Sequence, residues 1–263
     1  MAGFSLASTR EQLPKARQAV LKALELDNAS AEAHECLAHI HSIEWQFAEA
    51  EKEYQRVLEI DPSNSGTHQG YGTFLTQQGR WNEALFELKK AEELDPLWFM
   101  NSVYVGNVYY FQGQYDQAIP QYKRVLDMDP DFWPAHGYLA FTYEEKGMYP
   151  ETFAELQKVL KIFPHTNSVA ALGELYARWG RTREARNTIR QLQKQSEKEY
   201  VSDYWVATIY AALGEKDRAF QLLENAYNER SEWILFLKVD PRFANLRTDS
   251  RFADLIRRVG LPQ

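Results

Sequence analysis

Residues 99–132, FMNSVYVGNVYYFQGQYDQAIPQYKRVLDMDPDF, decide how this chain folds. Val105, Gly106 and Tyr109 fall on one face of a first helix, at the i, i+1, i+4 spacing of a helix–helix contact. Gly113 lets the chain reverse. A second helix then turns Ala118, Tyr122 and Val125 inward, and Asp129-Pro130 stops it. Gly106 and Ala118 are small where the two backbones have to lie closest. One such hairpin buries too little apolar surface to stand alone, so copies must stack and share a core.

Aligning the chain on this unit produces six copies in phase. The small residue of the first helix recurs as Ala38, Gly72, Gly106, Ala140, Gly173 and Ala207, and that of the second as Ala50, Ala84, Ala118, Thr152, Ala185 and Ala219. Both columns step by 34 residues, except for one step of 33 into the fifth copy. The turn column reads Trp45, Gly79, Gly113, Gly147, Gly180 and Gly214, so the first copy alone departs from glycine. Large inward positions are His41, Leu75, Tyr109, Tyr143, Tyr176 and Tyr210. Helix stops fall at Pro62, Pro96, Pro130 and Pro164, whereas copies five and six lack a terminal proline.

This pattern resembles the tetratricopeptide repeat family over Ala31 to about Trp233. The resemblance implies an all-α, right-handed superhelix of paired helices. The expected units are 31–64, 65–98, 99–132, 133–165, 166–199 and 200–232, with a half-repeat helix within 1–30 and a cap over 233–263. In the half-repeat, Ala16, Val20, Ala23 and Leu24 keep phase and Pro14 suits the start of the helix. MAGFSLASTR is too short and polar to supply a partner helix. The chain is then either a piece of a longer one, the favoured reading, or begins with a worn cap. Thr152 and Trp45 are the local departures.

Beyond Trp233-Ile234-Leu235-Phe236-Leu237 come two near copies of one phrase, DPRFANLR from Asp240 and DSRFADLI from Asp249. Asp249 is an expected N-cap for a last helix ending at Gly260-Leu261-Pro262. Phe243, Phe252, Leu255 and Ile256 are expected to cover the last apolar face of the stack. The ending resembles the tails of bacterial tetratricopeptide modules attached to winged-helix, kinase or nucleotide cyclase domains. That resemblance implies a regulatory module of a larger protein.

The formal charge of −7 disfavours nucleic acid or an anionic membrane as direct partner. One cysteine, Cys36, excludes an intrachain disulfide framework and a multi-cysteine metal site. No apolar run approaches the length of a membrane span, and Met1–Arg10 lacks signal-peptide features. These features suit a cytoplasmic module, or an extracytoplasmic one if a tether lies outside this stretch. The cluster HECLAHIH, His34 to His41, invites a metal reading, but its histidines miss the i, i+4 spacing of the zinc-protease helix. His34, His68 and His136 share one repeat column, and three unrelated ligands would not keep phase. No phosphate loop or nucleophile elbow occurs. No enzyme, metal or cofactor is expected.

In the resembled family, first helices line a concave groove that receives a peptide or a partner helix. The corresponding residues are Glu35, His39 and Ser42; Gln69, Thr73 and Thr76; Val103, Asn107 and Tyr110; Gly137, Phe141 and Glu144; Ala170, Glu174 and Ala177; Tyr204, Thr208 and Ala211. Chaperone-tail adaptors of the family use lysine, arginine and asparagine there; of that set only Asn107 is present. Val103, Asn107, Tyr110, Phe141, Glu144, Tyr204 and Thr208 are the candidate partner-binding residues, with Phe111 and Tyr138 beside them. Charge is uneven: 31–61 holds eight acidic and two basic side chains, and 178–198 seven basic and two acidic. Arg183, Arg186, Arg190 and Lys194 form a stripe at helical spacing that suits an anionic partner or weak head-to-tail self-association. The function expected is protein–protein interaction, with ligand sensing for an attached output domain as the competing class.

Overall fold

A computed structural model describes residues 9–262 of the chain. Among them are fourteen α-helices and no strand: α1 (Thr9–Leu26), α2 (Ala31–Ile43), α3 (Phe47–Ile60), α4 (Ser65–Gln78), α5 (Trp81–Leu94), α6 (Met100–Phe111), α7 (Tyr115–Met128), α8 (Trp133–Glu145), α9 (Tyr149–Ile162), α10 (Thr166–Arg178), α11 (Thr182–Gln195), α12 (Asp203–Ala212), α13 (Lys216–Asn228) and α14 (Ser250–Val259). Two 3-10 segments, Glu232–Phe236 and Pro241–Leu246, lie between α13 and α14. Helices α2 to α13 form six antiparallel hairpins stacked into a solenoid, with α1 packed on α2. Most of MAGFSLASTR lies outside the described residues. Helix α1 begins at Thr9, so Pro14 sits inside it rather than at its start.

The small columns work by steric exclusion. A Cβ added at Gly106 would fall 2.5 Å from the Tyr122 ring, and one at Gly72 would fall 2.5 Å from Leu88. Thr152 is tolerated among the alanines because its hydroxyl donates to the Met148 carbonyl at 2.9 Å and so is itself satisfied. The five turn glycines from Gly79 to Gly214 have φ between 72° and 78°. Trp45 takes the same left-handed conformation at φ 65° despite its side chain.

The repeat-phase histidines are staples within the units. Each imidazole of His34, His68 and His136 reaches a second-helix glutamate through Nδ1 (Glu53, Glu87 and Glu155). Each reaches the loop before its own helix through Nε2, at the carbonyls of Asn28, Pro62 and Pro130. One side chain thus ties three segments together. The large inward column divides: His41, Leu75 and Tyr143 are buried, whereas Tyr109, Tyr176 and Tyr210 are half-buried at its edge.

The C-terminal stretch departs most from the expected end cap. Helix α14 does pack on α13, with Asp249 capping it and Gly260 closing it at φ 80°. Residues 232–247 instead turn back into the concave side of the solenoid. Phe243, expected on the end face, lies fully buried with its ring 5.2 Å from Tyr204 of α12. The end cap is therefore built from Phe252, Leu255 and Ile256 without Phe243. The physical reason is that the inner wall carries the rings of Phe111, Phe141, Tyr204 and Trp205, which the tail covers.

Candidate interaction site on the concave wall

First helices α6, α8, α10 and α12 supply the wall. Val103, Asn107, Tyr110, Phe141, Glu144, Tyr204 and Thr208 all stand on them, and none is more than 9% exposed. Phe141 and Tyr204 meet the chain's own tail, and Glu144 meets Arg178 of the next unit. Asn107 accepts the Tyr122 hydroxyl at 2.9 Å, and Thr208 donates to the Trp205 carbonyl at 2.9 Å. Phe111, half-buried, stacks on the tail's Phe236 with ring centres 5.2 Å apart. Tyr138 stacks on Tyr122 at 6.1 Å, between adjacent units.

Arg242 is the tail's central contact. Its guanidinium donates to both oxygens of Asp240, Nε to Oδ1 at 3.0 Å and Nη2 to Oδ2 at 2.7 Å. It lies 3.7 Å from Glu174 of α10, 4.5 Å from the Trp205 ring centre and 5.1 Å from that of Phe141. The Tyr204 hydroxyl donates to Asp240 at 2.8 Å. Asn245 adds a bond to the Ala211 carbonyl at 2.7 Å, and Arg247 donates to the Asp240 carbonyl at 3.2 Å. One segment thus meets aromatic rings, a carboxylate and a backbone acceptor of the wall.

Burial sets the protonation of this cluster. Burial pushes the Glu144 carboxyl well above the ordinary range, and the neighbouring Glu174 charge pushes it further, against the pull of Arg178. Burial likewise raises Glu174, opposed by Arg242 and Arg178. For Arg242, burial works against the charged form, but Asp240 and Glu174 outweigh it and the guanidinium stays charged. Arg178, paired with Glu145, supplies the second cation, 3.8 Å from Glu144 and 3.9 Å from Glu174. Without Arg242, this buried acidic patch would carry too little positive charge to remain dry.

Between tail and wall a cavity of about 50 Å³ remains, walled chiefly by the rings of Tyr110, Phe141, Trp205 and Phe236. At the other end the tail's base reaches the first hairpin: Arg230 donates to the Glu44 carbonyl at 3.2 Å. Arg183, Arg186, Arg190 and Lys194 all lie exposed on α11, apart from this site, and Arg186 is paired with Glu215 at 2.7 Å. The acids of the first unit are met locally, Glu44 by Arg17 and Glu51 by Arg80. Among the described residues no group of three or more His, Cys, Asp or Glu could hold a metal ion. No described helix is long and apolar enough to cross a membrane.

The groove-filling tail has no repeat pattern in the sequence, yet two features there bear on it. Glu144, Glu145 and Glu174 lie on neighbouring first helices with Arg178 as the one cation near them on those helices, a shortfall that a cation from another segment can meet. The run Trp233–Leu237 has no helical periodicity of its own and needs an apolar host.

Residues 44–98 match the family described as tetratricopeptide repeat, and residues 106–147 match the TPR repeat. Tetratricopeptide repeats are therefore present over residues 44–98 and 106–147, within the stacked hairpins. Solved structures of similar fold include PilW, titled a widely conserved type IV pilus biogenesis factor, at 21% identity and TM-score 0.61, covering 76% of this chain and 91% of that one. Pseudomonas aeruginosa PilF follows at 23% identity and TM-score 0.55, covering 72% and 87%. A tetratricopeptide repeat protein from Parabacteroides merdae aligns at 16% identity and TM-score 0.53, covering 88% and 92%. These likenesses concern the fold. No curated protein matches the chain in sequence.

Proposed function

We propose that this chain is a non-enzymatic protein-interaction module whose concave binding wall is held in a self-occupied state by residues 232–247. The observation that carries this is the seating of Arg242 against Glu174, Phe141 and Trp205, with its Asp240 partner on Tyr204. A peptide ligand would be recognised by the same aromatic and carboxylate chemistry.

Magnitudes restrict the partner. Ile234, Leu235, Leu237, Phe243 and Leu246 of the tail are each no more than 2% exposed. Uncovering five such side chains costs on the order of 10 kcal/mol, as an upper bound. A short peptide of micromolar strength supplies about 8 kcal/mol, comparable with that cost, so displacing the tail would leave it little net affinity. That balance favours a folded domain or long segment, or a peptide tethered to this chain so that its effective concentration is high. A regulatory module within a larger protein meets the last condition. The cavity, far below the roughly 300 Å³ of small-molecule sites, gives the sensor reading no comparable support.

Native-state hydrogen exchange on the full chain tests this reading. Amides of residues 232–247 are expected to exchange through an opening smaller than global unfolding, while α6 to α12 stay protected. Exchange of the tail only together with the whole solenoid would make it a permanent core element and end the proposal.

A further inference from the structure

Only two non-glycine residues among those described have positive φ: Trp45 at 65° and Arg230 at 56°. Left-handed backbone is disfavoured for a residue with a side chain and persists where surrounding contacts impose it. These two residues lie 185 positions apart in sequence and touch each other. The Arg230 guanidinium sits 3.5 Å from the Trp45 ring centre and donates through Nη1 to the adjoining Glu44 carbonyl. Tyr227 completes the contact with its ring 4.7 Å from that of Trp45. Trp45 occupies the turn position that is glycine in the other five hairpins, and Arg230 stands two residues before the 3-10 segment that enters the groove.

We infer that Trp45 and Arg230 form a clasp that joins the first hairpin to the last, closes the solenoid into a ring, and keeps the tail seated. The inference rests on the self-occupied wall proposed above and names what controls it. A glycine at position 45 would satisfy the turn with less strain; the tryptophan is needed only for what it meets across the ring. The guanidinium lies face-on to that ring and is anchored by a backbone acceptor, so the hinge at 229–231 is fixed at both ends. Further contacts follow the same seam: Glu232 lies 3.9 Å from His39, and Phe47 lies beside Gly260. Opening the clasp frees the base of the tail first, before Arg242 has to leave Glu174.

The test uses the full chain with Trp45→Gly, Arg230→Gly and both together, followed by hydrogen exchange and small-angle scattering. Trp45→Gly restores the residue of the other turns, so the folded helices are retained. Exchange at 229–237 is expected to rise about tenfold in either single variant, with a larger radius of gyration and no further rise in the double variant. Unchanged exchange at 229–237 in both single variants, or effects that simply add, would overturn the clasp. Parent tail amides that exchange only with the whole chain would remove the self-occupied wall. The clasp would still be read from residues 44–47, 229–231 and the radius of gyration. A loosened tail in Arg242→Ala with no response to Trp45→Gly would keep the wall and remove the clasp.

Discussion

In both Asp240-Pro241-Arg242-Phe243 and Asp249-Ser250-Arg251-Phe252, the aspartate caps a helical turn by accepting the N–H of the arginine two residues on, at 3.0 Å. In both, that arginine folds back to bind the same carboxylate through Nε and Nη2. Their surroundings differ. Arg242 has 6% of its side chain exposed and lies among Glu174, Phe141 and Trp205, whereas Arg251 has 44% exposed and lies over Phe220 with Asp217 at 2.8 Å. The hydrogen bonds of Arg251 pull the Asp249 carboxyl down to about 2. A short phrase thus dictates a cap and a local ion pair, while its burial decides whether the pair holds a site together or decorates a surface.

Removing each arginine is the strongest way to break this comparison. Arg242→Ala leaves Glu174 and Asp240 buried with fewer counter-charges and is expected to destabilise the chain by about 3–5 kcal/mol in urea unfolding. Arg251→Ala should change the unfolding midpoint far less, since its partners stay hydrated. Equal effects would show that burial is not the deciding variable.

A second prediction concerns pH. Because Glu144 holds its proton to a higher pH when folded, the folded chain binds a proton that the unfolded chain releases above the ordinary 4.5. Its contribution therefore favours folding below that value and opposes it increasingly as pH rises towards the raised value. Glu174, Arg178, Glu145 and Arg242 face it. Glu144→Gln removes this dependence, so the variant should gain on the parent as pH goes from about 5 to about 9, measured by urea unfolding. A constant difference would contradict protonation of the buried cluster.

Lysine sharpens the contrast at smaller amplitude. Arg242→Lys loses the two-pronged contact to Asp240 and the planar stacking, so most of the alanine effect should persist, whereas Arg251→Lys should be nearly silent. Salt gives the smallest effect. Raising it should erase what little Arg251→Ala does and leave the Arg242→Ala difference in place, because a buried pair is screened little.

The repeat was legible because it is local. Columns such as Gly72, Gly106 and Gly173, each with too little room for a side chain, recur at a fixed period and need no knowledge of distant residues. Helical phase also determines that Tyr110 and Phe141 stand on first helices and face inward. What covers them was not legible. Phe236 meets Phe111 and Arg242 meets Glu174 across gaps of 125 and 68 residues, and no period relates them. Trp45 was visible as an exception in its column. Its reason lies in Arg230, which no local pattern connects to it.

Open arrays of this kind tolerate gain or loss of a unit, since each hairpin answers only to its neighbours. Where Trp45 must meet Arg230, that freedom ends. A duplicated or deleted 34-residue module would carry the two ends past each other and break that contact. The chain can drift in what its outer faces display but not in how many steps it takes around the circle.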